Sequence, residues 1–225
     1  MPKGNEMRGS SLGIIFLAIA LLGVVGCREP KESVVLNNAP QPVVPNDWQF
    51  TVIEDVGFSF ATPPDWEIQR LSKAELEEAL RAQNAEIWAM LGGKKASVDF
   101  DRSVGLMGFK FDFSEGGGMS LQMILGIREE TDEMLAIQDA ADKWRDTLRS
   151  GYDAPPITEE RVELPVGPAQ MLQVSESTSF GSDRTTVYSL VDGTVRYSFF
   201  FYETAFGGAS PMPAREIMET FRVRR

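Results

Sequence analysis

Residues 197–202 (YSFFFY) restrict the possible folds more than any other segment of the sequence. Alternate side chains of a β-strand point to opposite faces of the sheet, and this segment carries aromatic rings at both sets of positions. Such a strand needs other elements packed over both faces. We therefore expect a layered fold with this strand inside it.

Strand-like runs joined by turn signals fill most of the chain beyond residue 48. The strongest signal is Asp192-Gly193, a dipeptide typical of two-residue hairpins. Strands joined by hairpins pair in antiparallel fashion. The predicted strands are two short ones within 49–60, followed by 104–113, 119–127, 157–164, 169–178, 185–191 and 194–203.

Amphipathic helices interrupt these strands. Ser72 and Glu75 form a capping-box pattern at the start of the first helix, which we expect to end near Gly92. The second helix is predicted over residues 131–150, and a short third one over residues 213–220. This order predicts an α+β fold, with a mainly antiparallel sheet flanked by helices on both faces as an α/β/α sandwich.

The composition excludes several kinds of chemistry. The chain has no histidine and a single cysteine, Cys27, so it has no Ser-His-Asp triad, no imidazole zinc ligand and no internal disulfide. Its net charge of −11 disfavours binding to nucleic acid. We expect no catalytic residue, no cofactor and no resident metal, and hence a protein that is not an enzyme.

The amino-terminal segment is typical of a signal peptide. Lys3 and Arg8 precede an uncharged apolar run over residues 12–26, about 15 residues where a spanning helix needs roughly 20. The end of this run resembles the lipobox of bacterial lipoproteins, with Val24, Val25, Gly26 and Cys27. The resemblance implies cleavage before Cys27 and acyl chains on its sulfur that hold the protein at a membrane. An uncleaved membrane helix and a secretory signal cut elsewhere are the alternatives.

These features divide the chain into a signal peptide (1–26), a lipidated cysteine with a flexible tether (27–46) and a folded domain (47–225). Four isolated prolines favour an extended spacer before the domain, and a packed amino-terminal arm is the alternative. Arg28, rather than aspartate, follows the cysteine. By the same resemblance, that implies the outer membrane, facing the periplasm, in a Gram-negative host.

The entry to the domain resembles the PsbP-like (Mog1/PsbP) superfamily. Residues 57–66 (GFSFATPPDW) are similar to its opening pattern of a glycine, alternating apolar residues, proline and a nearby tryptophan. Thr62 departs from that pattern, because a larger apolar residue is usual there. The resemblance implies a central antiparallel sheet between helices, in proteins that act mostly by binding and assembly.

Several groups of side chains have the composition of a site but lack its motif. They are the carboxylates Asp99, Asp101, Asp112 and Glu115, the hydroxyls Ser175, Ser177, Thr178, Ser179 and Ser182, the pair Glu159 and Glu160, and the tryptophans Trp48, Trp66, Trp88 and Trp144. No calcium-loop or serine-nucleophile motif surrounds them, so we expect solvated carboxylates, strand hydroxyls and core tryptophans. The loops at 180–183 and 207–211 are the candidate binding surface.

The sequence therefore predicts a lipid-anchored protein of the bacterial cell envelope whose domain binds a protein partner without catalysis. The alternative is a lipoprotein that binds a small molecule or a metal, or a carboxylate-dependent hydrolase.

Overall fold

The computed structural model describes residues 36, 44–53, 57–75, 103–113, 117–151, 156–177, 181–207, 209 and 211–224. Its strands are β1 Gln49–Ile53, β2 Phe58–Thr62, β3 Glu67–Leu71, β4 Ser103–Phe113, β5 Met119–Glu130, β6 Thr158–Leu164, β7 Gly167–Ser177, β8 Ser182–Asp192, β9 Val195–Phe206 and β10 Arg222–Val223. Its helices are α1 Ile137–Gly151 and α2 Ala214–Glu219. No helix within these described ranges is long and apolar enough to cross a membrane.

The described residues form an α+β fold that is mostly antiparallel sheet, as predicted. Seven strands pair in the order β3-β4-β5-β9-β8-β7-β6, and three more form a small sheet in the order β1-β2-β10. Every pairing is antiparallel. The doubly aromatic segment lies in β9, between β5 and β8, so its predicted central position is confirmed.

Both faces of the large sheet are buried, by different elements. On the first face, the ring of Phe58 in the small sheet lies 5.2 Å from the ring of Phe199, and the ring of Phe221 lies 4.9 Å from it. On the second face, α1 places Trp144 edge-on to Phe200 with ring centroids 4.4 Å apart. We call these the small-sheet face and the α1 face. The first is covered by a three-stranded sheet together with the six-residue helix α2, where the sequence predicted helices alone.

Two local predictions differ from the structure. Helix α1 begins at Ile137 rather than near residue 131, because the β8–β9 turn holds the preceding segment: Thr131 N donates to Thr194 O at 2.9 Å, and Leu135 N donates to Gly193 O at 3.2 Å. Strand β3 was not predicted. It is a mostly exposed edge strand with polar residues at most positions, so it lacks the alternation that marks a half-buried strand.

The start of the first predicted helix is confirmed. Residues 73–75 are helical, Ser72 N donates to the Glu75 carboxylate at 2.8 Å, and Glu75 N donates to Ser72 Oγ at 3.3 Å. Hydrogen bonding of the Glu75 carboxylate, first to the Ser72 backbone N–H and next to the Ser72 side chain, lowers the pKa of Glu75. The remainder of that helix, with its stripe of Leu76, Leu80, Ile87 and Leu91, lies outside the described residues.

The strands of the large sheet have two distinct ends. One end carries the tight turns at 165–166 and 193–194, and we call it the turn end. At the other end, which we call the loop end, Met119 pairs with both Phe113 and Phe206.

Leu36 is attached to the turn end. It is 2% exposed, its backbone N–H donates to Asp192 Oδ1 at 3.3 Å, and its side chain contacts Gly167. Leu36 belongs to the segment predicted as a flexible tether. At this one residue the chain is packed against the domain, as the alternative of a packed arm has it.

Candidate binding cleft at the loop end

A cleft of about 170 Å³ opens on the small-sheet face, toward the loop end. Strands β7, β8 and β9 form its floor, and the segment that enters α2 forms its wall. The lining side chains are Met171, Gln173, Arg184, Thr186, Tyr188, Phe201, Glu203, Met212, Ala214, Arg215 and Glu216.

Strand register brings the floor residues together. Gln173 pairs with Thr186 across β7 and β8, and Thr186 pairs with Phe201 across β8 and β9. Because paired residues share a face and alternate positions along a strand do too, polar groups far apart in the sequence converge here. The sequence contains their individual strands but not this register.

Three groups of the floor have hydrogen-bonding capacity that the protein does not use. The side chains of Gln173, Thr186 and Tyr188 make no hydrogen bond to another residue in the described part of the chain. Burial raises the pKa of Tyr188 to about 12, so its hydroxyl stays neutral in ordinary buffers. The cleft therefore presents an amide and two hydroxyls to whatever enters it.

Glu203 fixes the wall of the cleft to its floor. Its buried carboxylate accepts from Met212 N at 2.8 Å and from Gln122 Nε2 at 3.4 Å, and it pairs with the guanidinium of Arg184. The charge of Glu203 is thus compensated within the protein. Since the nearby Arg215 and Glu216 also carry opposite charges, the cleft favours a neutral hydrogen-bonding group over an ion.

Its size limits what the cleft can hold. Sites that enclose a small molecule usually have a volume of roughly 300 Å³ or more. A cleft of about 170 Å³ matches one or two amino-acid side chains better than a cofactor.

The two loops predicted as a binding surface lie side by side at the same end. Gly181 packs so closely on Ala205 and Phe206 that a Cβ there would lie 2.2 Å from Ala205 O, and Gly207 lies against Gly118. The predicted loops and the cleft therefore lie at the same end of the sheet, and the cleft residues Arg184 and Met212 directly follow the two loops. The sequence did not predict the cleft. One signal that points to the cleft is Glu203, a carboxylate within the strand most rich in aromatic residues.

Among the described residues, the predicted hydroxyls are exposed on two strands, and one member of the glutamate pair is bound to an arginine. Ser175 and Ser177 are exposed on β7, and Ser182 is exposed opposite Ser177, while Thr178 and Ser179 lie outside the described residues. Glu159 binds Arg145, which lowers the pKa of its carboxyl, and accepts from Gln170 Nε2 at 3.1 Å. Its neighbour Glu160 is exposed.

The remaining predicted groups are only partly described. Trp66 and Trp144 are buried in the core and Trp48 packs against it, whereas Trp88 lies outside the described residues. Val24, Val25, Gly26 and Cys27 lie outside them as well, as do Asp99, Asp101 and Glu115, while Asp112 is described only as part of β4. Within the described ranges, no three acidic or thiol side chains are close enough to hold a metal ion.

A second polar cluster lies beneath α1. Lys143 of α1 places Nζ 3.6 Å from Glu129 Oε2, and the guanidinium of Arg196 contacts the same carboxylate. Burial, and next the charge of Arg196, lower the pKa of Lys143 to about 7 against the opposing effect of Glu129. These three side chains are almost fully buried and do not line the cleft described above, so we interpret the cluster as structural.

Comparison with known proteins does not assign a family. No family model matches the chain, and the comparison with curated proteins found no match. A crystal structure from Bacteroides thetaiotaomicron is similar at 13% identity with a TM-score of 0.42. The similar region covers 80% of this chain and 49% of that one, so the chain spans about half the length of that protein.

Proposed function

We propose that the chain is a lipid-anchored protein of the bacterial cell envelope, and that its domain binds a protein partner at the cleft without catalysis. The observation that carries the binding role is the set of unused hydrogen-bonding groups at Gln173, Thr186 and Tyr188. Their polar atoms reach the solvent in the cleft, so a ligand that supplies hydrogen-bond partners takes the place of water there. The small volume favours a side chain of a protein partner.

The anchor is proposed from the sequence. A positive segment, a short apolar run and Cys27 after Gly26 support a lipobox, and two or more acyl chains suffice for stable attachment. The PsbP-like resemblance supports the binding role, because it implies proteins that act mostly by binding and assembly. The residues that carry this resemblance, 57–66, include β2 and the turn that leads to the buried Trp66. We propose that the domain is a PsbP-like sandwich in the periplasm or its equivalent.

Attachment is tested by the mature amino terminus and by Cys27→Ser. Mass spectrometry is expected to find a chain that begins at residue 27 with acyl groups on sulfur. The Cys27→Ser protein is expected to leave the membrane fraction. A protein that keeps its membrane association and its processing after this substitution contradicts the anchor.

Partner binding is tested by photocrosslinking in the intact envelope. A benzophenone side chain at Arg215, which is 60% exposed at the rim of the cleft, is expected to give one discrete adduct. The double change Gln173→Leu and Thr186→Val removes two hydrogen-bonding groups at nearly constant volume. At about 1 kcal/mol for each of the two lost bonds, the affinity is expected to fall roughly thirtyfold, and the adduct yield at sub-saturating partner falls with it.

Matched controls separate binding from folding. Thr194→Val makes the same chemical change at an exposed position of the turn end and is expected to leave the adduct unchanged. A benzophenone at Glu163, exposed on β6, is expected to give no adduct of the same mass. An adduct from position 215 that forms equally well in the double variant contradicts binding through the cleft.

A further inference from the structure

Strand β4 extends beyond its neighbour β3 at the loop end. β3 pairs with β4 only from Phe109 to Gly105, whereas β4 continues to Phe113 and stays paired with β5 along its whole length. Asp65, with a φ of +70°, turns the chain away just before β3 begins. In the part of the chain that the structure describes, the outer edge of residues 110–113 has no neighbouring strand.

The same overhang exposes large apolar side chains. Phe111 is 64% exposed, Phe113 is 71% exposed, and Met119, which pairs with Phe113, is 41% exposed. Alternation places Phe109 on the same face as both phenylalanines, and Phe109 packs against the core of the α1 face. The exposed patch is therefore continuous with that core.

We propose that residues 110–113 are a strand-addition site for a protein partner, which binds through an extended segment of alternating apolar and basic residues. An unpaired strand edge offers backbone N–H and C=O groups that a further strand satisfies. Phe111 and Phe113 supply the apolar surface on which the side chains of such a segment pack. This site is separate from the cleft, which lies on the opposite face of the sheet.

Charge selects the composition of the partner. Glu67, which pairs with Phe109 next to the overhang, is exposed, and the net charge of −11 on the whole chain outweighs the half-buried Lys110 within the overhang. A basic segment is attracted to this surface, whereas a second copy of the chain brings like charge to it. The charge therefore favours a different protein over self-association.

Tether length argues against a bilayer as the occupant, an argument that rests on the proposed anchor at Cys27. Nine peptide units join Cys27 to Leu36 and span at most about 30 Å. Leu36 lies at the turn end, and a strand as long as β9 separates the two ends by about 35 Å. The tether is therefore shorter than the distance between the two ends. When the acyl chains are in the bilayer, the loop end cannot contact that bilayer with the strands perpendicular to it.

Strand addition is tested with a synthetic peptide of four Val-Lys repeats and the full mature chain. Binding is expected to slow amide hydrogen exchange at residues 110–113. The change of both Phe111 and Phe113 to serine is expected to weaken binding at least tenfold, because both rings leave the docking surface. Methylation of alternate backbone nitrogens of the peptide is expected to weaken it similarly, because the methylated strand has lost the donors that pair with β4. A peptide of four Val-Glu repeats is expected to bind at least tenfold more weakly.

Three outcomes overturn the proposal. The first is that the methylated peptide binds as well as the unmethylated one, and the second is that the peptide leaves amide exchange at residues 110–113 unchanged. The third is that Phe50→Ser, a change at a matched exposed phenylalanine on β1, weakens binding as much as the double serine variant does. A dimer of the mature chain that dissociates in the double serine variant assigns the site to a second copy instead. Binding of the Cys27→Ser chain to phospholipid vesicles through Phe111 and Phe113 assigns it to lipid. Peptide binding is also measured on the Cys27→Ser and Thr186→Val chains and is expected to be unchanged in both. The strand-addition proposal is therefore tested independently of the proposed anchor and of the proposed cleft function.

Discussion

At the scale of residues, three charged side chains are buried together beneath α1. Beneath α1, Lys143 and Arg196 share the single carboxylate of Glu129, and all three side chains are at most 6% exposed. Burial and the neighbouring charge of Arg196 both disfavour the ammonium form of Lys143, which costs free energy. The pKa of Lys143, lowered to about 7 in the folded protein, expresses that cost.

Removal of the Lys143 charge is therefore expected to stabilise the fold. An unfolded lysine has a pKa near its ordinary value of 10.5, so below pH 7 both states hold the proton and the folded state bears the whole penalty. The penalty shrinks as the pH rises from 7 toward 10.5. We expect Lys143→Met to raise the free energy of unfolding by about 1–3 kcal/mol at pH 6, and by much less at pH 9.5. Urea unfolding at both pH values measures this difference.

Lys73→Met, at an exposed position, is the matched control and is expected to change stability by less than about 0.5 kcal/mol at either pH. A Lys143→Met protein that is less stable than the parent at pH 6 contradicts the interpretation, because it means that the ammonium group stabilises the fold.

The sequence predicts some of these residues by their pattern but not their partners. Trp144 belongs to a helical apolar stripe, so its burial follows from the sequence alone. The sequence pattern around the neighbouring Lys143 indicates only a solvated charge on a helix. The reason is that its partner Glu129 lies on β5 and the neighbouring Arg196 lies on β9, far from it in the sequence. The cleft groups Gln173 and Thr186 likewise come together only through strand register.

At the scale of elements, a single hydroxyl joins the small sheet to α2. Thr220 is 2% exposed, and its Oγ accepts from Ala61 N at 2.7 Å while it lies 2.7 Å from Ile217 O, to which it donates. β10 pairs with β2 only at Phe58 and Ser59, so Thr220 satisfies the edge of β2 beyond the end of β10. The side chain thus does for Ala61 what a longer β10 would do.

Thr220→Val is expected to lower the free energy of unfolding by about 1–3 kcal/mol, because it leaves the buried Ala61 N–H without an acceptor at constant side-chain volume. Urea unfolding gives the loss, and faster amide exchange at Ala61 locates it. Thr194→Val, exposed at the turn end, is the isosteric control. If the two valine variants are equally stable, the hydroxyl does not hold these elements together.

Elements were predictable where local signals coincide with tertiary packing. The β8–β9 hairpin follows from Asp192-Gly193, and both flanking strands are buried over long continuous stretches. Helix α1 was predicted too long because the charges at 132 and 133 suit a helix start, while the backbone there bonds to the β8–β9 turn instead. That competition involves residues about 60 positions away, which no local pattern contains.

At the scale of the whole molecule, the order of strands in the large sheet depends on two pairings that are not hairpins, β3 with β4 and β5 with β9. Hairpins account for the neighbours β4-β5, β6-β7, β7-β8 and β8-β9. The pairing of β5 with β9 joins those two groups across α1, with twelve residue pairs from Met119 with Phe206 to Glu130 with Val195. Because both strands are apolar on two faces, the sequence requires a central position for each but does not specify that they meet.

The proposed anchor gives the whole molecule a direction at the membrane. Leu36 is held at the turn end, nine peptide units after Cys27, so the turn end is expected to lie nearer the bilayer than the loop end. In nanodiscs with spin-labelled headgroups, we expect the amide signals of residues 192–194 to broaden more than those of 117–119 and 207. The reason is distance, because paramagnetic broadening falls steeply between the near end and an end about 35 Å beyond it.

Two variants isolate the tether as the cause of that direction. A flexible Gly-Ser insertion of about 20 residues before Leu36 raises the fully extended length of the tether to roughly 100 Å, well beyond the separation of the two ends, and is expected to equalise the broadening. The Cys27→Ser chain is expected to show none at either end. Equal broadening at both ends of the native-length, acylated chain contradicts the orientation, and with it the argument that the loop end is free to meet a protein partner.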